Sequence, residues 1–310
     1  MLQRIAERVP SPPPGEIWAG DDAAVLDAPG RLVLTTDLLV EHVDFDLDYT
    51  PARSIGWKAV AANVSDVSAM GATPRHAVAS VALPPETELD LFDGLLDGVL
   101  EAGAAFGVAL VGGDLSRAGE LSISIALTGE LATAPVLRSG ARPGELVCVT
   151  GSLGGSAGGL RALRERGDAP TAATRRLMDR HLFPRPPVEA GPVLAGLGVT
   201  AMMDVSDGLG IDLARLLRAS AAGCDLDPGA VPVDPDAVSV YPDDAFALAM
   251  AGGEDLELLF TVPESRLEDV RGAVDVPVAA IGRITEGDAM IGGEPLSVWE
   301  ERGWDHLLDR

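Results

Sequence analysis

Cysteine is scarce: Cys148 and Cys224 are the two in 310 residues. That excludes a disulfide framework and a cysteine-based zinc site. Lysine is scarcer still, because of 23 basic residues all but Lys58 are arginine. No Walker-type Gly-Lys-Ser/Thr exists, so any phosphate clamp must use arginine, backbone amides or metal ions. No segment approaches the ~20 apolar residues of a membrane span. The first residues carry Arg4, Glu7 and Arg8 and then Ser11-Pro-Pro-Pro14, without the apolar run of a signal peptide; a cytoplasmic protein is expected. Positive charge is outnumbered, with a formal net charge of -25 and a pI near 4.3. This argues against nucleic acid or an anionic membrane as partner, and a solvated acidic surface accounts for most of the excess. His42, His76, His181 and His306 lack metal-ligand spacing and stand beside no Ser or Cys nucleophile. No residue is assigned as a general acid or base.

What is present is a large apolar content, 47% of the chain, enough for a sizeable core and two domains. Ala, Thr, Pro and Gly cluster at 131–144 and put the boundary there, giving units 1–135 and 136–310. In the stretch ending at Gly71, the residues Ile55, Val60, Val64, Val67 and Met70 recur at helical steps. Gly71 is placed to end that helix, with Pro74 beyond. Leu32–Asp37, Ala77–Leu83, Val108–Val111, Leu121–Thr128, Glu145–Thr150 and Val276–Ile281 read as strands, and residues 86–106 as a helix ending near Gly107. Gly112-Gly-Asp114 is expected as a turn after its strand, open either to an anion or to plain tight turning. Gly151–Gly159 reads as a glycine-rich strand-to-helix turn, a weak phosphate signal for which close packing is the stronger explanation.

The chemistry lies in the carboxylates. Asp22, Asp37, Asp66, Asp114, Asp204 and Asp207 each sit at a strand end, turn or helix in locally apolar sequence. Asp44, Asp46 and Asp48 alternate, as on one face of an extended segment, where solvation is the default for at least two. Asp207 by itself could be a helix N-cap, but a cap does not explain Asp204 three residues earlier. Should these acids converge, their repulsion demands cations, and all-oxygen ligands suit magnesium. Several such ions would neutralise a polyphosphate and orient one phosphoryl group. Trp299 and Trp304 read as packing aromatics.

Gly20-Asp-Asp22, Thr35-Thr-Asp37, Gly56-Trp-Lys-Ala59, Asn63-Val-Ser-Asp66, Gly71-Ala-Thr-Pro74, Gly112-Gly-Asp114, Met203-Asp-Val-Ser-Asp-Gly208, Gly252-Gly-Glu-Asp255 and Ile281-Gly-Arg283 together resemble the thiamine-monophosphate kinase family, in its order and across nearly the whole chain. The resemblance implies a two-domain α/β (α+β) protein of the aminoimidazole-ribonucleotide-synthetase-like superfamily, with mixed sheets flanked by helices and the site in the interdomain cleft. It implies a homodimer formed through N-terminal sheets, and ATP plus several Mg2+ ions serving transfer of phosphate to thiamine monophosphate. Carried over by motif, Asp22, Thr35, Thr36, Asp37, Asp66, Asp114, Asp204 and Asp207 would be magnesium ligands. Gly113, Asp114, Arg138 and Ser206 would touch ATP, and Asp44 and Glu254 the thiamine monophosphate. A terminal aromatic of the family aligns with Trp304 or Leu307, and a tyrosine usual in the family falls near Leu96. Rival readings are a sibling synthetase, a metal-dependent phosphohydrolase and a nucleotide-binding regulator.

Overall fold

The structure, a computed structural model, describes residues 7–8, 11–13, 16, 26–27, 30–165 and 169–303. The chain divides into two compact units, residues 1–67 with 72–132, and residues 68–71 with 133–310.

In the first unit the strands are β1 (Leu32–Val40), β2 (Thr73–Leu83), β3 (Ala109–Arg117) and β4 (Ser122–Glu130), and the helices α1 (Ala52–Ala69) and α2 (Leu89–Phe106). The strands form one sheet in the order β1-β4-β2-β3, antiparallel except for the β2–β3 pair. Strand alternation sets its two faces. Ile123, Ile125 and Leu127 of β4 are fully buried, while Leu34, Leu38 and Val78 point from the opposite face and are exposed. Helix α1 is buried almost all round, including Lys58, Asn63, Ser65 and Ser68, so the predicted apolar stripe is too narrow a description. Met70 lies beyond the helix and is half-buried. Gly71 ends it with φ 75°, as expected. Helices α1 and α2 approach at glycines: a Cβ on Gly98 would lie 1.9 Å from the Arg53 carbonyl, and one on Gly56 2.1 Å from the Leu95 carbonyl.

Two expectations fail in this unit. Gly112-Gly-Asp114 is not a turn, because β3 runs on through it to Arg117. Gly113 is needed for packing: its Cβ would sit 2.1 Å from the Ala79 carbonyl of the neighbouring strand. Residues 41–48 are not extended either. A bridge joins Glu41 to Phe45, the Asp44 carboxylate accepts from the Val40 amide (2.8 Å), and Asp46 accepts from the Asp48 amide (2.8 Å). Short acids satisfy their own turns here in preference to presenting a face.

The second unit carries β5 (Leu146–Thr150), α3 (Gly155–Glu165), α4 (Ala172–Leu182), α5 (Ala190–Gly196), β6 (Ala201–Val205), α6 (Leu209–Ser220), β7 (Gly223–Leu226), α7 (Pro235–Val240), α8 (Ala245–Ala251), β8 (Glu257–Val262), α9 (Leu267–Ala273), β9 (Val278–Thr285), β10 (Ala289–Ile291), β11 (Glu294–Pro295) and α10 (Ser297–Glu300). Its described strands form a mixed sheet in the order β11-β10-β7-β9-β5-β8-β6. The central strands are apolar on both faces. Val147 and Val149 of β5 pack with Leu213 and Leu217, whereas Leu146 and Cys148 pack with Leu194 and Val270. That is why β5 reads as a continuous apolar run. Both cysteines are buried and free; burial pushes the Cys148 thiol up to about 12 and the Cys224 thiol up to about 11, which leaves them unreactive. Among the described residues no helix is long and apolar enough to cross a membrane.

Candidate active site

In the first unit β1 and α1 bring two of the proposed ligands together: Thr35 Oγ1 donates to Asp66 Oδ2 at 2.6 Å. Period-2 alternation puts Asp37 on the same face as Thr35, and Asp37 Oδ2 is screened from solvent. Thr36 alternates to the open face, where its hydroxyl meets Ser124 Oγ at 3.3 Å; only its backbone carbonyl could serve a ligand shared with Thr35. Asp114 is displaced further. It aligns with Ser80, Ser124 and Leu38 in one row across the sheet, so it stands on the open face and on the edge strand opposite β1. Three strand spacings, about 14 Å, separate the two edges. Within one chain Asp114 and Asp66 therefore cannot share an ion. Among the described residues no three His, Cys, Asp or Glu side chains converge closely enough to hold a metal. The donors that do cluster are oxygens partly withdrawn from water, the chemistry that suits magnesium. Asp22 and Trp304 lie outside the described residues, as does Leu307.

In the second unit, Asp204 is the last residue but one of β6 and is 3% exposed. The turn that follows is shaped by a residue the sequence reading passed over. Asp212 is completely buried, and its Oδ2 accepts from the backbone amides of Ser206 (3.0 Å) and Asp207 (2.9 Å). Arg215 Nη1 binds Asp212 Oδ1 at 2.7 Å and also the Asp207 carboxylate. Burial pushes the Asp212 carboxyl up to about 6, against the pull of the Asp207 amide and Arg215. Asp207 is not the N-cap of α6; Gly208, with φ 116°, holds that place. Arg138 is exposed, and its carbonyl accepts from Ser220 Oγ at 3.1 Å.

The Gly252-Gly-Glu-Asp-Leu-Glu257 segment is a loop that enters β8 only at Glu257. Glu254 and Leu256 adopt positive φ, 66° and 54°, which non-glycine residues adopt only under constraint. The constraint is visible. The Glu254 amide donates to the Ser206 carbonyl (2.7 Å) and that of Leu256 to the Val205 carbonyl (2.9 Å), pinning the loop to the Asp204–Asp207 turn. Asp255 accepts from the amides of Gly154 (2.6 Å) and Ser156 (3.0 Å). Those are the amides a phosphate would need at the start of α3, so the glycine-rich turn is closed by a carboxylate and packing explains it. Glu257 accepts from Thr150 Oγ1 (2.5 Å). Burial pushes both carboxyls up to about 7. Trp299 packs edge-on against Phe246 at 5.4 Å, as a packing aromatic should.

The models for AIR synthase related protein match the chain twice, the N-terminal domain over residues 20–131 and the C-terminal domain over 142–292. Thiamine-monophosphate kinase of Halobacterium salinarum is 40% identical over 292 residues, covering 93% of this chain and 94% of that protein. This chain belongs to the thiamine-monophosphate kinase family. The crystal structure of thiamine-monophosphate kinase from Stenotrophomonas maltophilia K279a superposes with TM-score 0.84 at 33% identity, covering 94% of each chain. AaThiL complexed with AMPPCP and TMP superposes with TM-score 0.83 at 32% identity, over 93% of this chain and 91% of that one. The two mixed sheets with flanking helices are thus the family's fold.

Proposed function

We propose that this protein transfers the γ-phosphoryl group of ATP to thiamine monophosphate, giving thiamine diphosphate and ADP. The observation that carries the reading is family membership over nearly the full length, joined to a relative of the same fold that takes AMPPCP and TMP together. Asp22, Thr35, Asp37, Asp66, Asp204 and Asp207, with the Thr36 carbonyl, are the groups that would hold magnesium, and Asp114 would hold an ion apart from that of Asp66. Bound magnesium would supply neutralisation of the polyphosphate charge. Gly113, Asp114, Arg138 and Ser206 would meet the nucleotide, and Asp44 and Glu254 the acceptor, with Trp304 as the aromatic beside its rings.

No general base is needed. The acceptor is a phosphate oxygen, largely ionised at neutral pH. The barrier is repulsion between two anions, which the protein lowers by orientation and by positive charge such as Arg138. Transfer is direct and in line, without a phospho-enzyme, so chirally labelled ATP should give net inversion at phosphorus and net retention would refute the path. The protein acts as a homodimer joined through the open face of the β1-β4-β2-β3 sheet, whose exposed Leu34, Leu38 and Val78 want covering.

One assay tests the reading: purified protein with Mg-ATP and thiamine monophosphate, scored for thiamine diphosphate. Phosphate released from ATP at the same rate without thiamine monophosphate would make it a hydrolase, and binding without turnover a regulator.

A further inference from the structure

His181 closes the last turn of α4 and is 2% exposed. Its Nδ1 lies 3.1 Å from Ser156 Oγ on α3 and 3.3 Å from Glu254 Oε2. The imidazole is carried there by a close helix crossing: a Cβ on Gly159 would lie 2.0 Å from the Leu177 carbonyl and 2.9 Å from His181 Cβ. Ser156 is equally buried, and its amide is tied to Asp255. Glu254 thus has its backbone amide bonded to the Ser206 carbonyl and its carboxylate within 3.3 Å of His181 Nδ1, while about a third of its side chain (32%) remains open to solvent. An imidazole with hydroxyl and carboxylate at one nitrogen is not a nucleophilic triad, in which the two partners take different nitrogens. It is an orienting arrangement.

We infer that His181, steadied by Ser156, is a positioning residue that aims the Glu254 carboxylate at the acceptor substrate. This rests on the proposed function, and on Glu254 meeting thiamine monophosphate there. The chemistry suits the pairing, because the thiamine moiety offers an amine and a cationic ring, both partners for a carboxylate. A carboxylate in a strained loop would otherwise sample several rotamers, and each would weaken acceptor binding without touching the nucleotide.

The test uses two substitutions of similar size. Asn puts an amide nitrogen where Nδ1 stands, and Gln puts one where Nε2 stands. In steady-state kinetics H181Q should raise KM for thiamine monophosphate about tenfold or more, the scale for losing an orienting partner. H181N should stay within about threefold of wild type, and KM for ATP should move less than about twofold in both. Adding H181Q to Glu254→Ala should cost nothing further. Equal effects of Asn and Gln, equal rises in both KM values, or additivity with E254A would overturn the inference. Wild-type protein inactive toward thiamine monophosphate would instead sink the function on which it rests.

Discussion

Asp66 is the residue on which the metal-site reading is most exposed. It is half-buried on an otherwise packed helix and takes a 2.6 Å hydrogen bond from Thr35. Asp66→Asn keeps size and most hydrogen bonding but removes the charge an ion needs. Formation of thiamine diphosphate should fall by more than the ~10–100-fold typical of losing a partner behind a metal ligand, with circular dichroism and Tm nearly unchanged. Full activity in the variant would displace the metal site. Asp255→Ala tests the other kind of acid. It strips two buried amides of their acceptor, and an unsatisfied buried donor costs about 1–3 kcal/mol; chemical denaturation should register a loss of that size. From sequence these residues differed little. Asp66 stood out because a carboxylate interrupted a small and apolar helix. Asp255 entered only through a glycine-opened motif, and Asp212, Arg215 and His181 gave no comparable signal: Asp212 meets the amides of the preceding turn besides Arg215 on its own helix, and His181 meets a serine on another helix. Ser156 and His181 are 25 positions apart, so reading histidines by their sequence neighbours could not find the pair.

At the level of elements, periodicity carried most of the information. Alternation in β4 and helical spacing up to Gly71 were legible because each element has one dominant packing requirement. Glycine was read less well. Gly112 and Gly113 looked like a turn, but Gly113 serves close strand contact inside β3, and glycine-rich sequence alone does not distinguish the two. The same close approach governs α1 on α2. Gly98→Ala drives a Cβ into the Arg53 carbonyl at 1.9 Å, a backbone atom that cannot rotate aside. The helices must separate, so overpacking should cost about 1–3 kcal/mol or more, outweighing the helix propensity gained from alanine. Urea denaturation should show a lower midpoint for G98A. An unchanged or higher midpoint would mean the crossing is looser than the structure has it.

At the scale of the whole molecule, the family resemblance implied a dimer formed through N-terminal sheets, yet the sequence did not reveal which side of the first sheet is open. Register reveals it, and a consequence follows for assembly. Leu34, the third residue of β1, is 73% exposed on the open face, so L34R should lower the mass measured by light scattering toward that of one chain. A wild-type protein that is already monomeric would remove the dimer from the reading.

The acid-rich composition has a second consequence, in stability. Glu257 is lifted by burial from an ordinary 4.5 to about 7. A carboxyl whose folded pKa lies above its unfolded value binds more protons when folded, so stability falls as pH rises through the window from about 4.5 to about 7 and levels off above it. Asp255 acts in the same sense from 3.8 to about 7. The repulsion of a chain with net charge -25 pushes in that direction too, so the wild-type slope alone does not isolate the buried groups. Glu257→Gln does, because its amide oxygen can still accept from Thr150 while nothing remains to titrate. Between pH 5 and pH 8 (roughly the window set by linkage), the Tm of wild type should drop more than that of E257Q. Parallel Tm curves for the two proteins would mean that Glu257 carries its charge in the folded state as readily as in the unfolded one, and that the slope belongs to the surface.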